Sequence, residues 1–91
     1  MKVENMTSRN GNTIPNQFLI SDDNGNLFFQ SYDSIIAKRY WENGRYQCEL
    51  DEKYWNYSVT TSKYRNLFLD ETKKETEANI KSGRYILTNL N

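Results

Sequence analysis

Two Asn-Gly pairs, each set between runs of β-prone residues, constrain this chain more than any other feature. The first, Asn24-Gly25, closes the turn Asp22–Asn26 between Phe18-Leu19-Ile20 and Leu27-Phe28-Phe29. The second, Asn43-Gly44, separates Ile35–Trp41 from Tyr46-Gln47-Cys48-Glu49-Leu50. A tight hairpin needs a positive φ at its turn, which Gly supplies without steric cost and Asn tolerates, so each pair marks two antiparallel strands. In the returning strand Tyr46, Cys48 and Leu50 alternate with Gln47 and Glu49, the two-residue period of a half-buried strand. Gln30–Ser34, polar throughout, links the hairpins as a bend.

Beyond Leu50 the period changes. Asp51 is placed to cap a short turn containing Tyr54 and Trp55. Ser58 and Thr60–Ser62 offer caps for a helix over Lys63–Leu69, where Tyr64, Leu67 and Phe68 fall at helical spacing. Thr72 and Glu75 have the spacing of a reciprocal capping box. The helix they open ends before Gly83 and is anchored by Ala78 and Ile80. Tyr85-Ile86-Leu87 then reads as a closing strand. The expectation is an α+β fold: an antiparallel β-meander of two hairpins plus a C-terminal strand, with two short helices packed on one face. Residues 1–16, polar and interrupted by Gly11 and Pro15, read as a flexible leader to a single domain over 17–91.

Composition limits the chemistry. The 91 residues contain no His and one Cys, Cys48, so Ser-His-Asp triads, Cys-His pairs, and all-thiolate or His-bearing zinc sites are excluded. Cys48 lies at an inward phase and reads as an inert core thiol. Lys and Arg number 12 and Asp and Glu 12, so neither the basic excess of a phosphate-backbone binder nor the acidic excess of a nucleic-acid mimic is present. Neutrality also removes one barrier to self-association, and a homodimer is a plausible supplement to a core of this size. No apolar run approaches a membrane span or a signal-peptide core, and an unpaired Cys suits a reducing compartment, so a cytoplasmic location is expected.

What remains is stickiness, since Phe, Tyr and Trp supply 14% of the residues. The densest cluster is Tyr54, Trp55 and Tyr57 followed by Lys63, Tyr64 and Arg65. Its rings could stack a base while Lys63 and Arg65 hold a phosphate near a helix N-terminus; alternatively it joins helix to sheet. Tyr40 and Trp41 beside the second turn form either a partner hot spot or a cross-strand pair with Tyr46. Asp51-Glu52-Lys53 after a strand, with Asp33 upstream, has the form of an acidic-x-Lys nuclease element, although Asp51 is equally suited to capping. No metal or cofactor site is expected.

Two stretches look familiar as a set. Asn16–Ile20 with Phe29–Ala37 is one; Leu50–Ser58, Thr60–Tyr64, Phe68-Leu69 and Leu87–Leu90 is the other. Over about residues 16–91 the chain resembles a family of small uncharacterised proteins of bacteriophages and mobile elements. That resemblance carries no catalytic residue. It implies a setting in which a small non-enzymatic protein binds and inhibits a host immune effector, for example a CRISPR-type one. The alternatives are a sponge for a nucleotide immune signal, and a small metal-dependent nuclease or phosphodiesterase.

Overall fold

The computed structural model describes residues 1–91. Six strands, β1 (Lys2–Thr7), β2 (Thr13–Ser21), β3 (Leu27–Ser31), β4 (Ser34–Glu42), β5 (Arg45–Asp51) and β6 (Tyr85–Thr88), form one sheet in sequential order. Two helices, α1 (Val59–Leu69) and α2 (Lys73–Lys81), lie between β5 and β6. Strands β1–β5 form an antiparallel meander, and β6 runs parallel to β5. A parallel neighbour cannot follow through a tight turn, and residues 52–84, which carry both helices, supply the long crossover that the β5–β6 pairing needs. The architecture is the expected α+β fold with both helices on one face.

Both Asn-Gly signals produce turns. Gly25 and Gly44 have φ of 84° and 79°, and Asn43 is also left-handed at 54°. In the first turn the Asp22 carboxylate accepts hydrogen bonds from the Asn24 and Asn26 backbone N–H groups and from the Asn26 side chain. The side-chain bond from Asn26 is the chief reason that this carboxyl is held below its ordinary value.

The first sixteen residues require a correction. They are not a leader: Lys2–Thr7 pairs with β2 in register Lys2↔Ser21 through Asn5↔Phe18, and Met6 is a core residue. Lys2, Val3 and Glu4 are exposed in an edge strand, so the segment carries the polarity of a loop while its backbone is bonded into the sheet.

The core lies between the sheet and the helices. Phe29, Ala37, Cys48 and Leu50 face Phe68 and Leu69 of α1, with Phe29 and Phe68 stacked at 5.7 Å. Ile36 is the extra residue of a β-bulge between Phe29↔Ala37 and Gln30↔Ile35, and it too is fully buried. Burial on α1 falls on Thr61, Arg65, Phe68 and Leu69, whereas Leu67 points to solvent and Tyr64 is half-buried. The expected stripe of Tyr64, Leu67 and Phe68 is therefore displaced, because two of the inward positions carry polar residues. Thr61 meets the equally buried Ser31 hydroxyl across the layers at 2.9 Å. Ser58 caps α1, and Thr72 with Glu75 forms the expected box on α2. Gly83 follows α2 at φ 83°. Ile80 packs on the core, but Ala78 is exposed and Thr76 occupies the buried position.

Candidate functional site

The helices do not cover the whole inner face. The β4–β5 hairpin runs past them, and at its end the register sets Trp41 opposite Tyr46 and Glu42 opposite Arg45. Trp41 and Tyr46 meet edge to face, with centroids 4.7 Å apart and planes at 88°. They form the cross-strand pair, yet remain 62% and 51% exposed. Inward alternation in β5 thus holds for Cys48 and Leu50 and ends where the helical layer ends.

Two guanidiniums support this pair. Arg39 lies 4.8 Å from the Tyr46 ring centre and donates to the Phe68 carbonyl at 3.3 Å, tying the hairpin to the end of α1. Arg84, just before β6, donates to the Tyr46 carbonyl at 3.2 Å. Neither is paired with a carboxylate: the ion pairs of the molecule are Met1–Asp23 and Lys2–Glu4. The outcome is a protruding patch of indole, phenol and arginine, apolar on top and cationic at its base. Tyr40, its neighbour in sequence, points to the opposite sheet face. There Lys38 lies 5.0 Å from its ring, and the adjacent Glu49 side chain pushes its hydroxyl pKa up to about 12.

The second cluster is organised by two buried charges. Asp51 accepts the backbone N–H groups of Lys53, Tyr54 and Leu90 and the side-chain amide of Asn91, at 2.8–3.0 Å. Burial alone would raise its pKa, but those bonds outweigh it and hold the carboxyl below the usual value of 3.8. Both oxygens are thus occupied in closing the turn and docking residues 90–91.

Arg65 is fully buried. It donates to the Trp55 carbonyl, to Ser62 Oγ at 3.2 Å and to Asn66 Oδ1 at 3.1 Å, and its guanidinium lies 5.3 Å from the Trp55 ring centre. Burial pushes its pKa below the ordinary guanidinium value, partly offset by the more distant Glu71 and Glu77. Arg65 is a strut between α1 and the 51–58 turn; its Nε–H has no partner, but the side chain is fully buried and not at the surface where a binding residue was expected. Tyr54, Trp55 and Tyr64 likewise pack against the core as half-buried residues.

Tyr57 and Lys63 are the exposed members. Tyr57 meets Tyr54 edge to face at 5.4 Å, and Lys63 lies 5.4 Å from the Tyr64 ring centre. They line an open groove of about 630 Å³ with Asn56, Ser62, Asn66 and Lys73 at the start of α1. The structure therefore divides the predicted residues three ways: Trp41 on the hairpin, Tyr57 and Lys63 at the groove, and the remainder in packing or on the far face. The support from Arg39 and Arg84 was missed. Arg39 had only its place two residues before Trp41 to signal it, and Arg84 reaches Tyr46 across 38 residues of sequence.

Burial, opposed by Arg39, raises the Cys48 thiol to about 12. No three or more Cys, Asp or Glu side chains are grouped to hold a metal ion. No helix is long and apolar enough to cross a membrane.

A model of a family of unknown function, DUF8033, matches residues 1–86. The chain belongs to that family. Its match takes in β1, in agreement with the pairing of the first strand. Neither a curated protein nor a solved structure matches the chain.

Proposed function

We propose that this DUF8033 member is a non-catalytic protein-binding module that engages its partner through the Trp41–Tyr46 patch. The exposed aromatic pair on two unpaired guanidiniums carries the reading. Trp, Tyr and Arg are the residues most enriched at interface hot spots, and burying such a patch releases apolar surface while fixing charge at its rim. Inhibition would be steric, by occupation of the partner's own working surface. The resemblance to mobile-element proteins makes a host defence effector the first partner class to test. Two groups that an enzymatic reading would draw on are engaged in the fold, Asp51 with four donors and Cys48 in the core.

The test is a comparative capture from defence-bearing bacterial cells, using wild-type, Trp41→Ala and Lys63→Ala baits. A protein retained by wild type and Lys63→Ala but lost with Trp41→Ala supports the patch. Equal retention by all three baits rules it out.

One observation favours the nucleotide reading as a second possibility. The groove at the start of α1 presents Lys63, Lys73 and the Tyr57 ring with no carboxylate among its lining residues. A sponge acting there would be stabilised by nucleotide, by about 2.7 kcal/mol at a hundredfold excess over Kd. Lys63→Ala would remove that shift and Trp41→Ala would not.

A further inference from the structure

The sheet has a second face that no helix covers. Its register places one row of outward residues across all six strands: Val3, Ile20, Phe28, Lys38, Glu49 and Ile86. None is fully buried, and Val3 and Ile86 are 58% and 54% exposed. The row is apolar at both ends and charged at the centre. Lys38 and Glu49 are direct cross-strand partners, yet they form no ion pair with one another. Lys38 instead lies over the Phe28 and Tyr40 rings, at 5.9 and 5.0 Å from their centres.

We propose that this bare face is where two copies of the chain meet. A two-fold axis in the interface, running along the strands between β4 and β5, reverses the row in the second copy. Lys38 then faces the partner's Glu49, and Glu49 faces the partner's Lys38. Phe28 packs on the partner's Ile86, and Ile86 on the partner's Phe28. The row is complementary to its own reversal, as an isologous contact requires, and zero net charge leaves no overall repulsion to overcome. Four overlapping strands, ~4.8 Å apart and about five residues long, cover ~300 Å² in projection, below the ~800 Å² per partner of a standard interface. The dimer is therefore weak and concentration-dependent. It leaves Trp41, on the opposite face, free in both copies.

Sedimentation equilibrium of the full chain, from about 1 μM to about 1 mM, tests this directly, with association expected at tens to hundreds of micromolar. Lys38→Glu alone and Glu49→Lys alone each set like charges against one another across the axis, raising Kd by about tenfold or more. An equimolar mixture of these two variants pairs an acidic centre with a basic one and associates at least as well as wild type. Mixing cannot repair a defect within either chain, so recovery separates interface from folding. Ile86→Lys, at an exposed position, gives the same loss without touching the charges. Trp41→Ala leaves association unchanged, so loss of the patch and loss of the dimer are read apart. A wild type that stays monomeric at about 1 mM, or a variant mixture that stays monomeric there, overturns the proposal.

Discussion

The molecule contains two Trp–Tyr–Arg clusters with nearly the same side chains and opposite fates. In one, Arg65 is enclosed, Trp55 is half-buried beside it, and three acceptors take up its terminal nitrogens while its Nε–H is left without a partner. In the other, Arg39 and Arg84 hold up a Trp41–Tyr46 pair that projects beyond the helices. The difference lies in what is packed overhead: α1 closes the first cluster, and nothing closes the second. A buried guanidinium without a carboxylate is tolerated only while its neutral acceptors stay in place, so the first cluster is a structural joint. The second puts little folding energy at stake and leaves its apolar surface for a partner.

The comparison can be broken most directly at Arg65. Arg65→Met removes the donors that satisfy the Trp55 carbonyl, Ser62 and Asn66, and is expected to cost about 3 kcal/mol in denaturant unfolding. A cost within about 0.5 kcal/mol would mean that Arg65 is an accessory, and the contrast between the clusters would collapse.

Asp51, the second charge of that joint, comes next. Asp51→Asn keeps one acceptor oxygen and loses the charge that strengthens four hydrogen bonds, for a cost of about 2 kcal/mol at neutral pH. The folded-state pKa lies below the unfolded value, so this contribution is complete above about 3.8 and is lost as pH falls through the folded value. The stability gap between wild type and Asp51→Asn should thus narrow as pH falls below 3.8 and close once the folded-state carboxyl is protonated, and a gap unchanged by acid would assign the loss to shape alone.

The smallest stability effect belongs to the exposed cluster. Trp41→Ala forfeits one edge-to-face pair and should shift unfolding by no more than about 1 kcal/mol, while abolishing partner capture. Acrylamide quenching sharpens the same point: Trp55→Phe leaves a readily quenched indole at position 41, and Trp41→Phe leaves a protected one at position 55. Equal quenching of the two would show that the hairpin end is covered in solution.

Local chemistry made much of the fold legible in advance. The Asn24-Gly25 and Asn43-Gly44 turns, the Ser58 cap, the Thr72–Glu75 box and Gly83 after α2 each work through neighbours within a few residues. β1 was illegible because an edge strand with exposed Lys2, Val3 and Glu4 lacks the alternation that a buried face would impose. The inward stripe of α1 was misread because its buried positions include Thr61 and Arg65, whose partners Ser31 and the Trp55 carbonyl lie 30 and 10 residues away. At the candidate site, Trp41 was singled out from its place beside a turn, and the structure leaves it exposed. Tyr54, Trp55, Tyr64 and Arg65, singled out as part of a separate aromatic–basic cluster, are half-buried or buried in packing.

By itself the sequence determined where the chain turns, where its helices are capped, and that no imidazole or paired thiol is available for chemistry. These are properties of short segments and of residue inventory. Only the tertiary structure decided which of two similar aromatic–arginine clusters is sealed and which is presented, and that one sheet face stays bare. Both depend on where a helix comes to rest over strands distant in sequence, because desolvation is set by the neighbours packed around a side chain and not by its own type.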